Sequence, residues 1–210
     1  YAKESNVYRL PTANKEGTGW KAIWDTGGQD RIDGRRAKSS VTIDLRNATL
    51  DQSERAGGHI SSVDGIYGGF TIAHDWNGKD LEKRAGLCII EHATGGSSDD
   101  RLIGNKASNR LHGRQGDDII YGGTGGNDVL IGGRGRDQFW IDAQPGSFAN
   151  VKDFRVGKDQ LVFSVPRKDL SFESFGNHLL IKHEDISVAR LLGVSSISWE
   201  RDVLLRGFEA

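Results

Sequence analysis

Apolar positions recur along the middle of the chain with a fixed period. Leu102, Leu111, Ile120, Leu130 and Phe139 lie nine residues apart, with one interval of ten. Each is the centre of a three-residue stretch, and the six or seven residues before each stretch are almost all glycine, polar or charged. Side chains alternate between the two faces of a strand, so three residues with one inward side chain predict a short strand. Glycine reaches backbone angles that other residues avoid, so each interval predicts a tight turn. Outside this region, alternation predicts strands at 20–24, 41–45, 70–73 and 87–91 before it, and at 151–154, 160–163, 179–182 and 186–189 after it. The last two form a hairpin through His183-Glu184-Asp185, and 198–205 reads as a strand or a short helix. Segments 51–69 and 74–84 read as loops, and 24–34 as a turn rich in carboxylates. No segment shows the period of a long helix. The predicted class is all-β.

Written in order, the repeats are GGSSDDRLI from Gly95, GNKASNRLH from Gly104, GRQGDDIIY from Gly113, GGTGGNDVLI from Gly122 and GGRGRDQFW from Gly132. If one coil takes two turns and two strands, turns 18 residues apart stack on one edge. Asp100, Asp118 and Asp137 then share an edge, and Asn109 and Asp128 share the other. Stacked carboxylates repel unless a cation lies between them. Calcium suits such a place, being a hard ion that accepts six to eight carboxylate and carbonyl oxygens. Five tandem copies resemble the G-G-x-G-x-D-x-U-x repeat of the calcium-binding RTX proteins. The resemblance implies a parallel β-roll packed with flanking antiparallel strands, sandwich-like. Two ions would lie at Asp100 with Asp118 and at Asp118 with Asp137, and a weaker third at Asn109 with Asp128. Gly96, Ser98, Gly113, Gln115, Gly122, Thr124, Gly133 and Gly135 are the candidate ligands from the turns. The extra residue of the fourth copy, at Gly125-Gly126, is expected to distort its edge or form a bulge. Ile103, Ile119, Tyr121, Val129, Ile131 and Trp140 make the outward strand positions too apolar for a fully wet face. Flanking strands of the same chain are expected to cover them, with a partner-binding patch as the alternative.

Composition narrows the picture. Glycine numbers 29 of 210 residues, about twice the usual share. The one cysteine, Cys88, cannot form an internal disulfide, and its apolar run Leu87-Cys88-Ile89-Ile90 predicts burial. A formal net charge of −1 gives no global attraction to nucleic acid or to an anionic membrane. No apolar stretch is long enough for a membrane span. The chain starts at Tyr1 without an apolar leader, which fits a processed product, a fragment, or export without a cleaved leader. Residues 95–140 hold six aspartates and six lysines and arginines, so calcium loading would leave them net positive. An acidic polysaccharide is one partner this would suit.

The segments Ile23-Trp24-Asp25-Thr26-Gly27-Gly28-Gln29-Asp30-Arg31-Ile32-Asp33, Gly69-Phe70-Thr71-Ile72-Ala73-His74 and Ile90-Glu91-His92-Ala93-Thr94-Gly95-Gly96 add a second resemblance. So do Val151-Lys152-Asp153-Phe154 and Gly157-Lys158-Asp159-Gln160-Leu161. From about Val7 to Phe163 the chain resembles the C-terminal domain of the serralysin-type secreted zinc metalloproteases of Gram-negative bacteria. That implies further calcium ions above the roll. One would use Asp25, the Gly27 carbonyl and Asp30; another the Gly28 carbonyl, Asp30, the Ile89 carbonyl and Glu91. An Asx-type turn is the plainer reading of Asp25 and Asp30. The sequence departs from the family in two places. It has no H-E-x-x-H, and none of His59, His74, His92, His112, His178 and His183 has an i, i+4 partner, so no catalytic zinc site is expected. Its end, Leu205-Arg206-Gly207-Phe208-Glu209-Ala210, lacks the family's acidic residue with a short hydrophobic tail. The expectation is a single domain, 1–210, with a β segment at 1–94, a repeat core at 95–140 and C-terminal strands at 141–210. It would be a non-enzymatic calcium-binding structural module of a secreted or cell-surface bacterial protein, folding on calcium after type I export. The alternatives are a glycan-binding, adhesion or assembly module, or the non-catalytic tail of a secreted zinc metalloprotease.

Overall fold

The nine-residue spacing dictates where the chain reverses, and the strands follow it. The computed structural model describes residues 4–48, 59–73 and 88–206. Ahead of the repeats run β1 (Val7–Arg9), β2 (Trp20–Ile23), β3 (Arg31–Asp33), β4 (Val41–Asp44), β5 (Ser61–Val63), β6 (Gly69–Ile72) and β7 (His92–Thr94). The repeats form β8 (Arg101–Ile103), β9 (Arg110–Gln115), β10 (Ile119–Tyr121), β11 (Gly126–Arg134) and β12 (Gln138–Trp140). After them come β13 (Ser147–Val151), β14 (Gln160–Phe163), β15 (Leu170–Phe175), β16 (His178–His183), β17 (Ile186–Leu191), the single-turn α1 (Trp199–Asp202) and β18 (Val203–Leu205).

These strands make two nine-stranded sheets, ordered β1-β3-β7-β9-β11-β13-β17-β16-β15 and β18-β14-β12-β10-β8-β4-β5-β6-β2. From β7 to β14 each strand joins the sheet that the previous one did not. Parallel neighbours need a crossover connection, and here the strand of the other sheet with its two turns supplies it. The register then lines up the inward residues. Ile43, Leu102, Ile120, Phe139, Leu161 and Val203 form a row across the second sheet. Ile32, Ala93, Leu111, Leu130, Val151 and Leu191 form a row across the first. Both rows belong to one buried core, and each large side chain contributes roughly 1.5–3 kcal/mol by burial. Antiparallel strands flank the parallel ones at both ends, as β4–β5–β6 and β15–β16–β17.

Several elements depart from the sequence reading. Residues 31–33, read as part of a turn, form β3, and the strand expected at 87–91 starts instead at His92. Side chains hold the backbone before it: Asn47 Nδ2 donates to the Cys88 carbonyl at 2.7 Å, and Asn105 Nδ2 to the Ile90 carbonyl at 2.9 Å. The strand expected at 151–154 ends at Val151, because Asp153 turns to accept the Gly132 and Gly133 N–H groups at 2.9 and 2.8 Å. β5 lies within a stretch read as loop, and β15 was not anticipated. Gly125 and Gly126 take φ values of 110° and 78° and absorb the extra residue, so β11 stays paired with β9 in one register. Cys88 is buried as expected; its Sγ accepts the Asp25 N–H at 3.1 Å, and burial pushes the thiol up. Of the outward positions, Ile103 is buried and Ile119, Tyr121, Val129, Ile131 and Trp140 are half-buried. Residues 51–58 and 74–84 of the expected loops, with His74, and Leu87 of the expected strand lie outside the described residues.

Candidate metal centre

In the second sheet β8, β10, β12 and β14 are each preceded by a turn that ends in aspartate, and the parallel register stacks those turns. Asp118 Oδ1 accepts the Asp100 N–H at 2.8 Å, and Asp137 Oδ1 accepts the Asp118 N–H at 3.1 Å. Asp100 Oδ1 accepts the Val41 N–H at 2.8 Å. The column continues one step past the repeats, where Asp159 Oδ1 accepts the Asp137 N–H at 3.1 Å. All four aspartates are at least 97% buried. Sequence reasoning missed Asp159 as a member, although Asp159-Gln160-Leu161 keeps the offset of Asp137-Gln138-Phe139.

The other edge joins two groups that the sequence had kept apart. Asp128 Oδ1 accepts the Asn109 N–H at 2.8 Å, and Asn109 Nδ2 donates to the Glu91 carbonyl at 3.2 Å. Glu91 Oε2 accepts the Asp30 N–H at 2.8 Å, and Asp30 Oδ1 accepts the Asn6 N–H at 2.7 Å. Asp25 stands beside them, its Oδ2 accepting from the Tyr8 hydroxyl at 2.5 Å and from Asn6 Nδ2 at 3.1 Å. Gly27 and Gly28 lie between Asp25 and Asp30 in the chain, and Ile89 lies two residues before Glu91. At Gly28, φ is 107° and a Cβ would overlap the backbone of Glu4 and Ser5. Gly96 and Ser98 precede Asp100, Gly122 and Thr124 precede Asp128, and Gly113, Gln115, Gly133 and Gly135 belong to the turns of Asp118 and Asp137. Two of these carbonyls have protein donors: Gly96 accepts from Arg114 Nη1 at 3.3 Å and Gly135 from Arg155 Nη2 at 2.5 Å.

Burial makes these carboxylates reluctant to ionise. Asp118 is pushed up to about 8, by burial first and then by the charges of Asp100 and Asp137. Burial raises Asp128 to about 7 and Asp100, Asp137 and Asp30 to about 6. Two buried oxygens, Asp118 Oδ2 and Asp30 Oδ2, have no hydrogen-bond partner among the described residues. A buried carboxylate oxygen left so is costly unless a cation meets it. The donors are oxygens, charged and neutral, with no sulfur or imidazole among them, which is the set a hard cation takes. Gly113 is part of the cradle, since a Cβ there would overlap the Asp118 carboxylate.

The last rung differs. The Arg155 guanidinium lies 3.1 Å from Asp137 Oδ2 and 3.0 Å from Asp159 Oδ1. A protein cation thus stands between these two aspartates. Elsewhere, Asp169, His183 and Glu184 bring ligand atoms within 4.8 Å of one another, but His183 Nδ1 already contacts the Ala143 carbonyl at 2.9 Å.

Residues 94–125 and 123–140 match the RTX calcium-binding nonapeptide repeat (4 copies). The chain therefore contains a non-catalytic RTX calcium-binding repeat region. Comparison with curated proteins gives no match. Among solved structures, the extracellular lipase LipA from Serratia marcescens is similar at 18% identity and a TM-score of 0.34, over 97% of this chain. The chain spans 38% of that lipase structure.

Proposed function

We propose that the chain is a calcium-dependent structural module of a secreted bacterial protein, a parallel β-roll that folds on calcium after export. One observation carries the reading: the Asp100–Asp118–Asp137 column, whose middle member keeps a buried oxygen without a partner among the described residues. Asp100 with Asp118, and Asp118 with Asp137, would hold two ions together with the carbonyls of Gly113, Gln115, Gly133 and Gly135. Asn109 with Asp128 would hold another of lower charge. Asp25, Asp30 and Glu91, with the Gly27, Gly28 and Ile89 carbonyls, would hold the ions nearer the amino end. When bound, calcium supplies positive charge between carboxylates that otherwise repel. Strands from 1–94, 95–140 and 141–210 share both sheets, which supports one domain.

Ions that bind the folded state alone stabilise it by mass action. At low cytoplasmic calcium the chain stays unfolded enough to thread a type I exporter. Outside, at roughly 10⁻³ M calcium, sites of the extracellular class fill and the module folds. The resemblance to serralysin-type tails supports a second reading compatible with the first, in which the module is the non-catalytic end of a secreted hydrolase. A longer encoded chain with H-E-x-x-H upstream of Tyr1 would bear that out.

A calcium titration followed by far-UV circular dichroism and tryptophan fluorescence tests the first reading. The expected result is a cooperative gain of structure, with Asp118→Ala shifted to higher calcium than Asp128→Ala, since Asp118 serves two ions. Equal midpoints for Asp118→Ala and the parent would overturn the ligand assignment. A chelated sample with unchanged shape and melting would overturn the calcium dependence.

A further inference from the structure

The outer face of the first sheet carries a row of nitrogen-bearing side chains, in contrast to the acidic column. Ile32, Ala93 and Leu111 point into the core, so their neighbours Arg31, His92 and Arg110 point outward, and the register sets these three directly opposite one another. Parallel strands lie about 4.8 Å apart, so the His92 imidazole stands between the Arg31 and Arg110 side chains. With Arg35, His112 and Arg114 these residues line a cleft of about 310 Å³ whose lining holds no carboxylate. Asp33 borders it, held by Arg35 at 3.0 and 2.7 Å and lying 4.0 Å from Arg31 Nη2. Two polar atoms, Arg31 Nε and His92 Nδ1, are buried there without a partner among the described residues.

Arg114 is a second, independent sign. It occupies the repeat position at which Gly123 and Gly133 stand, and it takes the same left-handed backbone: φ is 91° at Arg114, 101° at Gly123 and 107° at Gly133. An arginine is strained in that region and a glycine is not. Its Nη1 donates to the Gly96 carbonyl at 3.3 Å, which sets the guanidinium at the cleft wall. The strain has a purpose if the guanidinium is needed in the cleft.

We propose that this cleft binds an acidic polysaccharide, through carboxylate or sulfate groups held between Arg31, His92, Arg110 and Arg114. Guanidinium forks match such oxyanions in geometry, and a polymer meets more than one strand of the row. Nucleic acid is the poorer fit, because the lining has no Phe, Tyr or Trp ring to serve as a stacking platform for bases. The inference goes beyond the calcium reading and needs the folded chain.

The test is isothermal titration of the full, calcium-loaded chain with a heparin hexasaccharide and with trigalacturonate, circular dichroism of the same samples recording the fold. At least one oligosaccharide should bind, more weakly as salt rises. Arg110→Gln should weaken binding at least fivefold. Arg114→Gly should weaken it likewise while raising the melting temperature, so that misfolding does not explain the loss. Lys106→Gln, an exposed change outside the cleft, should leave binding unaltered. Failure of both probes to bind, unchanged affinity in Arg110→Gln and Arg114→Gly, or an equal loss in Lys106→Gln would overturn the site. Tighter binding of a short DNA duplex than of either glycan would overturn the choice of polymer. A chain that stays unfolded with calcium would count against the calcium reading, and a folded chain that ignores both glycans against the cleft alone.

Discussion

Single residues carry the chemistry, and Asp118 carries most of it. Its carboxyl is raised to about 8 in the folded chain, against about 4 when unfolded. A carboxyl raised on folding favours the folded state while it stays protonated. That contribution is complete below about pH 4 and is lost as pH climbs through the folded value near 8. Far-UV circular dichroism of the chelated chain should therefore show residual structure falling between pH 4 and 8. Calcium requires the ionised form, so its titration midpoint should move the other way, to lower calcium as pH rises. A midpoint independent of pH would remove these carboxylates from the ligand set. The nine-residue period exposed Asp100, Asn109, Asp118, Asp128 and Asp137 directly, whereas Asp159 stands 22 residues from Asp137, beyond a loop that breaks the period. That Asp30 and Glu91 sit on the same edge as Asn109 could not be read either. It depends on Asn6 and Asp30 closing over Glu91 across gaps of 24 and 61 residues.

At the level of elements, repetition made the strands legible. Five central residues, Leu102, Leu111, Ile120, Leu130 and Phe139, are fully buried where the period placed them. β3 and β7 escaped because each contributes one inward residue, Ile32 and Ala93, and a single residue defines no alternation. β5 and β15 escaped for another reason. Gly and Ser dominate the first one's surroundings, and β15 is an edge strand whose Phe175 is exposed. The core rows are where side-chain loss should tell. Phe139→Ala in saturating calcium should cost about 3–5 kcal/mol in urea unfolding, while Phe175→Ser should cost under about 1 kcal/mol. Comparable losses at the two positions would mean that the interior row does not hold the sheets together.

At the scale of the whole molecule, β7 to β14 form a stack in which each strand is laid beside the one two before it. Its two ends are unlike. Toward the carboxyl end the acidic column closes on Arg155, which needs no solute to neutralise Asp137 and Asp159. Among the described residues, no lysine or arginine pairs with Asp100 or Asp118 in this way. Assembly should therefore have a polarity, with a seed at 137–163 that persists under chelation and growth toward the amino end as calcium is supplied. Hydrogen exchange in chelator should find amides of β12 and β14 slower than those of β8, and Arg155→Gln should erase the difference. Uniform exchange along the stack would deny any such seed. A chain with its starting point built in is spared from beginning its coil at many places at once and arriving out of step.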